Sequence, residues 1–572
     1  MAAMVSALQR MRPVPLATML LMASMLSTGA AGFVMECLIA TVSTYVLGNS
    51  IEQFSIIMAV MMCSMGIAAF LQKFARDTLL VEKFVAVEVA LAILGGFAPI
   101  LVYAAFANFE NHFSLVLYSL AGSIGFLIGF EIPLVLRINE HFVGELRSNL
   151  GWILSMDYVG AFAGALLWVY YLLAKFPLTE ISFLVAGFNF VVALVTLAYF
   201  ASRGGVTYPR LCFGAMLLSA GLLSWGYAHN RSWSITIEQQ LYDAPIKHAE
   251  TSKYQRIVFT HDAATNDWRL FLNGGLQFSS TDEAVYHEHL VHPAMTIAPR
   301  REKVLILGGG DGLALREVLK YPDVRTVTLV DLDPAIIRFA STHPTMRRLN
   351  GDAFADARVA AEVSSAITSG GFKPVLMEPQ RVSPVKGKPD KAGEKIKVAQ
   401  VRVLTIDAFK FVAGLGLGDW DVVLIDFPDP DQVEIAKLYS RDFYRALKRV
   451  MAPHGIVAVQ ATSPYHAKEA FLCVGRTIES AGYSALPYHA NVPSFGDWGW
   501  YIFAPNLQSS DLARRFISVR DFPVETKHIT PQLLSASLAF GREALRARFD
   551  GVSTVMEPKV LHYYVQYAWN ND

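Results

Sequence analysis

Cysteine is scarce in this chain. There are four in 572 residues, Cys37, Cys63, Cys212 and Cys473, and no two form a C-x-x-C pair. That excludes a disulfide framework and a cysteine zinc site, and favours reading all four as buried small hydrophobes. Charge is scarce too: 17% of residues are charged, and 49 basic side chains face 49 acidic ones. A formal net charge of zero leaves no global field to draw the chain to nucleic acid. Apolar residues are abundant, at 53% with a mean hydropathy of +0.36. An ordinary soluble enzyme is less apolar, so membrane segments are expected.

Apolar stretches fall near 16–40, 53–71, 84–106, 113–136, 150–173, 180–200 and 211–228. Each approaches the roughly 20 residues needed to cross a bilayer. The first follows Arg10 and Arg12 and contains the small residues STGAAG, as a signal peptide would. It runs on through FVMECLIATVSTYVLG, too long for a signal core, and is read as retained. Lys73, Arg76 and Lys83, then Arg137 and Arg147, then Arg203 and Arg210 mark alternate loops, while GNSIEQ and ANFENH carry no Lys or Arg. The positive-inside rule puts the N-terminus in the cytoplasm. Seven crossings would then place the rest of the chain outside, against the cytosolic ligand inferred below. A stretch that does not cross, a hidden eighth crossing and an external catalytic half are the three ways out. A miscount is favoured, with the protein in the cell (inner) membrane and its catalytic half cytoplasmic. Glu36 and Asp157 lie within spans and are expected to face the bundle interior. Gly125 and Gly129, in GFLIGF, suit close helix packing.

Past residue 229 the pattern changes. RIVFT and WRLFLNGGLQFSS read as strands around Asn273-Gly274-Gly275, a small antiparallel sheet. From 303, strands and helices alternate: VLILG, LALREVLKY, TVTLVDLD, PAIIRFAS, VRVLTIDA, DVVLIDF, SRDFYRALKRV, GIVAVQA. Alternation implies a parallel sheet with helices on both faces. The expected architecture is a multi-pass α-helical membrane domain (1–228), a small antiparallel β domain (229–300), an α/β Rossmann-like, methyltransferase-type doubly wound domain (301–520) and a C-terminal extension (521–572). Residues 362–398, rich in Lys, Pro, Gly and Ser, read as a mobile surface insertion.

Doubly wound sheets bind ligands beyond the carboxyl ends of their strands. Four segments bring acids to that edge: Gly308-Gly309-Gly310-Asp311-Gly312, Asp331 with Asp333, Asp407-Ala408, and Asp426 with Asp429. Glycines at Gly308 and Gly310 let the backbone approach a nucleoside. Asp331, 20 residues past Asp311, stands where a carboxylate accepts the two ribose hydroxyls. Asp311 would repel a pyrophosphate and suits a cation, such as a nucleoside sulfonium with an amine tail. Asp333, just before Pro334, reads as a helix cap.

These residues resemble the spermidine synthase family of polyamine aminopropyltransferases. The likeness runs over roughly 250–505 and includes YQRIVFT, LFLNGGLQFSSTDEAVYHEHLVHPAM, VLILGGGDGLALREVLKYPDV, VDLDP, IDAF and VVLIDFPDP. The apolar half is similar to the integral-membrane domain of some bacterial relatives. The resemblance implies aminopropyl transfer from decarboxylated S-adenosylmethionine to a diamine, usually putrescine, giving spermidine and methylthioadenosine. It implies no prosthetic group and no metal. It assigns Gln255 and Asp331 to the nucleoside, Asp407 and Ala408 to the adenine edge, and His287 and Asp311 to the amines. Tyr286 would line the same pocket, Asp426 would accept the proton, and Asp429 would assist on the acceptor. A homodimer through the 229–300 sheet is a further family-level expectation, with no nucleic-acid partner and a lipid bilayer around the apolar half.

The chemistry agrees with that assignment. An ammonium has no lone pair, and a carboxylate can bind it and take its proton as attack proceeds. A sulfonium is already a good leaving group. Two departures touch the acceptor side. The Gly-Pro usual after Asp-x-x-Asp-Pro is missing, and Pro493-Ser494-Phe495 stands where the family often has Pro-Thr-Tyr. Two rivals stay open here: a methyltransferase using S-adenosylmethionine, and a membrane transporter or sensor that binds polyamine without turnover.

Overall fold

The structure is a computed structural model that describes residues 15–47, 50–108, 112–356, 359–360, 400–414 and 420–568. The insertion read at 362–398 lies outside the described residues. The chain divides into two compact units, Met1–Ile246 and Lys247–Asp572.

In the first unit all seven apolar stretches are helices long and apolar enough to cross a membrane: Leu16–Thr44, Glu52–Phe74, Leu80–Phe106, Phe113–Glu140, Leu146–Leu172, Leu178–Ala201 and Pro209–Gln239. The count of such helices among the described residues is therefore the seven read from the sequence. The boundary at 228 also moves, because the last helix runs on to Gln239 and the first strand opens only at Ile246. Gly125 and Gly129 let two helix backbones touch: a Cβ on either would lie within 3 Å of Met61 or Met65 backbone atoms. Glu36 and Asp157 are half-buried. Among the described residues the fully buried carboxylates of this unit are Glu88 and Glu131, which lie in two of the same apolar stretches. Cys63 is exposed and Cys37 and Cys212 half-buried, so only Cys473, in the other unit, matches the expectation of burial.

The second unit opens with a four-stranded sheet in the order β1-β2-β3-β4: β1 (Ile246–Thr251), β2 (Arg256–Asp262), β3 (Asp267–Leu272) and β4 (Gly275–Ser279). Asn273 and Gly274 both have positive φ, 50° and 84°, and join β3 to β4 as a two-residue turn. That conformation is why Asn-Gly marks such hairpins. Residues 283–297 are a helix, so the small sheet ends well before 300.

An eight-stranded sheet follows: β5 (Lys303–Gly308), β6 (Thr326–Asp331), β7 (Val359–Ala360), β8 (Gln400–Thr405), β9 (Trp420–Asp426), β10 (Met451–Gln460), β11 (Ser484–Val492) and β12 (Gly496–Ala504). The order is β11-β12-β10-β9-β5-β6-β8-β7. It is not wholly parallel as expected, since β12 runs antiparallel to both β10 and β11. The mixed sheet is nonetheless Rossmann-like. Its strands are apolar on both faces: Val304, Ile306, Val422 and Leu424 join one core, while Leu305, Leu307, Val423 and Ile425 join the other. This period of two, buried on each side, is what a doubly covered sheet requires. The chain order reverses between β5 and β9, which pair in parallel with Gly308 opposite Asp426. A crevice is expected at that point.

Candidate active site

The glycine turn closes over the end of β5. Gly308 has φ +85°, and a Cβ there would lie 2.0 Å from the Asp426 carbonyl oxygen. Only glycine lets β5 and β9 stay paired through the turn. The Gly310 N–H donates to Asp331 Oδ2 at 2.9 Å, and the Asp333 N–H to Oδ1 at 2.9 Å. Burial pushes Asp331 up to about 6 despite those two bonds. Asp333 is the cap expected of it. Its Oδ1 accepts the Ala335 N–H, and its Oδ2 accepts the Ser252 hydroxyl at 2.6 Å. The second bond brings the β1–β2 turn, with half-buried Gln255, to the end of β6. There the Gln255 N–H and C=O both close on Ser252. Asp311 Oδ1 accepts the Leu313 N–H, and its carbonyl accepts from Asn350 Nδ2.

Asp426 ends β9. The Tyr286 hydroxyl donates to its Oδ1 at 2.7 Å. Burial pushes Asp426 up to about 6; nearby His287 and the Tyr286 bond pull the other way, and Asp311 adds to the rise. Tyr286 is pushed well above the usual phenol range, first by burial and then by Asp426. It therefore stays an O–H donor. Both residues of the helix Glu283–Ile297 are set by that helix packing on the core. His287 Nδ1 meets the Glu283 carbonyl at 2.8 Å and Glu283 Oε2 at 3.2 Å. Burial opposes its charge, but Glu283, Asp311 and Asp426 outweigh this and raise it to about 9. Glu288, the last residue of the YHE block, faces elsewhere and accepts the backbone N–H groups of residues 527–529.

Asp429 is gathered to the same rim. Tyr564 donates to its Oδ2 at 2.8 Å, Thr462 to the same oxygen at 3.3 Å, and Gln460 Nε2 to Oδ1 at 3.4 Å. Burial pushes Asp429 up to about 6. Gln460 also donates to the Phe427 carbonyl at 2.6 Å, tying the Asp-x-x-Asp loop to the end of β10. The missing tyrosine of Pro493-Ser494-Phe495 leaves Phe495 edge-on to the Tyr286 ring at 6.0 Å. Ser494 instead binds Asp282 through its N–H and hydroxyl.

Asp407, unlike Asp311, Asp331, Asp426 and Asp429, is held in an ion pair. Its Oδ1 accepts the Lys410 N–H ahead of helix Ala408–Gly414, and its Oδ2 pairs with Lys437 Nζ at 2.6 Å. Burial would raise it, but Lys437 holds it below the usual range. Ala408 is buried. Glu288, His292 and Glu317 bring ligand-type atoms close together in the core. Glu317 already holds Arg316, Lys320 and His292, however, and Glu288 holds three N–H groups, so the cluster is a structural network. Gln460, Thr462 and Tyr564 were not found from sequence. Gln460 ends a strand whose rim position could have flagged it, whereas Tyr564 lies 135 residues from Asp429 and carries no local signal.

Comparison with known proteins adds the following. The family model described as "Spermine/spermidine synthase domain" matches residues 283–368 and 389–510, with its break inside the Lys-rich insertion. Polyamine aminopropyltransferase 1 of Streptomyces coelicolor is 36% identical over 97% of this chain and 95% of its own length. Polyamine aminopropyltransferase of Oceanobacillus iheyensis is 34% identical over 94% and 95%. A solved spermidine synthase in complex with the transition-state analogue AdoDATO is 21% identical, with a TM-score of 0.42, covering 52% of this chain and 88% of its own.

Proposed function

This chain belongs to the spermine/spermidine synthase family and is a polyamine aminopropyltransferase, and on that premise we propose that it moves the aminopropyl group of decarboxylated S-adenosylmethionine onto a diamine, putrescine first among candidates. One observation carries the proposal. Asp311, Asp331, Asp426 and Asp429 meet at the sheet's reversal point, and none pairs with a Lys or Arg among the described residues. Such a rim suits two cationic reactants.

Asp331 is proposed to take the ribose hydroxyls, with Gln255 beside it and the Gly308–Gly310 backbone beneath the nucleoside. Ala408 lines the adenine edge. Asp407, neutralised by Lys437, shapes that edge and does not bind a cation. Asp311 and His287 face the amines. Asp426, raised to about 6, is ionised at neutral pH and still more basic than an ordinary carboxylate. It holds the attacking ammonium and accepts its proton. The freed nitrogen pair forms the new N–C bond while the C–S bond breaks, and its electrons leave on the sulfur of methylthioadenosine. Tyr286 fixes the carboxylate through its O–H. No covalent intermediate is needed, so most of the acceleration comes from holding nitrogen about 3–3.5 Å from carbon, in line with the C–S bond.

The test is methylthioadenosine release by the purified chain with decarboxylated S-adenosylmethionine and a panel of amines. Methyl transfer from S-adenosylmethionine, or polyamine binding with no release, would overturn the reading. The seven apolar helices are proposed to anchor the enzyme in a bilayer. The co-substrate puts the catalytic half in the cytoplasm and, with seven crossings, the N-terminus outside; the loop charges argue the reverse. Thiol labelling at cysteines placed near each end, in intact cells, decides between the two. A homodimer through β1–β4 is proposed on family grounds, and a monomer by sedimentation in detergent would refute it.

A further inference from the structure

The shortest hydrogen bond onto the Asp429 carboxylate comes from the partner most distant along the chain. Tyr564 lies on the helix Lys559–Tyr567, more than fifty residues past 510, where the family match ends. The segment leading to it adds no strand to the sheet. It is tied down instead by acids of the catalytic fold. Glu288 takes three backbone N–H groups at 527–529, Glu469 takes those of Arg548 and Phe549, and Asp442 takes that of Val555. The closing helix then buries Val560 and Tyr563 in the core on one face of the sheet and packs on helix Lys468–Ser480. Carboxylate-to-backbone bonds of this kind are among the stronger hydrogen bonds. The path that brings Tyr564 to the rim is therefore built, and does not rest on a loose tail.

We propose that Tyr564 is a positioning residue for the acceptor amine: the C-terminal segment delivers its hydroxyl to Asp429, and that O–H fixes the carboxylate which selects the acceptor. This rests on the aminopropyl-transfer reading above. Asp426 takes the proton of the attacking nitrogen, and Asp429 remains to hold the acceptor's charge. Without the Tyr564 bond, Asp429 keeps only two longer ones, at 3.3 and 3.4 Å. Its carboxylate is then less fixed and more readily protonated. The amine is held less well, while the nucleoside side is untouched.

The experiment uses full-length protein in detergent with methylthioadenosine release as the readout. Tyr564→Phe is expected to raise the acceptor KM roughly tenfold or more, the range for losing a hydrogen bond to a charged group. The KM for decarboxylated S-adenosylmethionine should stay unchanged, and the acid limb of kcat/KM for the amine should move to higher pH. Tyr567→Phe, on the same helix but with its ring tilted against Phe549, is the control and should alter none of these. By calorimetry, Tyr564→Phe should add no further loss of putrescine binding once Asp429→Asn is in place. An unchanged acceptor KM and pH limb in an active Tyr564→Phe overturns the inference. So does an equal effect of Tyr567→Phe, or full additivity with Asp429→Asn. Wild-type protein that releases no methylthioadenosine with any amine overturns the functional reading itself, and this inference with it.

Discussion

Two regions of the catalytic unit hold acids, and they treat them in opposite ways. Behind the sheet's rim three buried acids are held by basic side chains. Glu283, 5% exposed, forms a two-bond pair with Arg316; Glu317 holds Arg316, Lys320 and His292; Asp421 holds Arg300 and His454. At the rim, Asp311, Asp331, Asp426 and Asp429 accept from backbone N–H, tyrosine, threonine and glutamine. A buried charge needs a partner or it shifts its pKa. The paired Glu283 is held down to about 2, because its bonds to His287 and Arg316 outweigh the burial that would raise it. The rim acids Asp331, Asp426 and Asp429 each rise to about 6. The difference separates acids that hold the fold together from acids left to hold something else. The helical unit offers a third case: Glu88 and Glu131 are buried, both Glu88 oxygens and one of Glu131 accept no bond, and no Lys, Arg or His is buried around them among the described residues.

The contrast can be broken by moving an acid from one class to the other. The largest effect is expected from Asp426→Asn. Turnover should fall by roughly 10²–10⁴, the usual contribution of a general base, while nucleoside binding by calorimetry stays near wild type. Unimpaired turnover would remove Asp426 from the mechanism. Glu283→Gln should act on stability. It leaves Arg316, 12% exposed, with only Glu317 of its two acids, so the loss should approach but not exceed the about 3–5 kcal/mol of breaking a buried pair. Because the folded-state pKa of Glu283 is depressed, its contribution is full above the unfolded value of about 4.3 and is lost as pH falls toward 2. Denaturant titrations should therefore show a flatter acid limb in Glu283→Gln than in wild type.

Asp331→Asn should raise the KM for decarboxylated S-adenosylmethionine about tenfold and leave the acceptor KM alone; equal effects on both would show that the two sides are not separate. The kcat/KM profile of the wild type should fall below about pH 6, as Asp426 takes up a proton and can neither hold an ammonium nor accept one. A bound cation favours the ionised form, so the limb in kcat should lie at lower pH than the limb in kcat/KM. The smallest effect is expected from Lys437→Met. It moves Asp407 from the paired class to the unpaired one, so the Asp407 pKa should rise while turnover changes less than about threefold. A large loss of turnover would give Lys437 a part in the reaction that its pairing with Asp407 does not suggest.

Local pattern made much of this legible. The seven helices, the Asn273-Gly274 turn and strands β5, β6, β8 and β9 follow from apolar runs and glycine placement, which act over a few residues. The nearness of the glycine turn to Asp331 is legible for the same reason. A glycine turn and an acid at the next strand end are adjacent in any doubly wound sheet, so chain order implies nearness in space. Strands β11 and β12 were missed because antiparallel return at a sheet edge leaves no mark on the alternation that announces a parallel core.

What the amino-acid sequence determined by itself is the set of acids and the scaffold that lines them up. What only the tertiary structure decided is which acids keep their charge for a ligand. Lys437 reaches Asp407 across 30 residues, Tyr286 reaches Asp426 across 140, and Tyr564 reaches Asp429 across 135. The physical reason is range. Propensity and periodicity are written along the chain, whereas hydrogen bonds and ion pairs act over about 3 Å of space between segments that folding alone brings together.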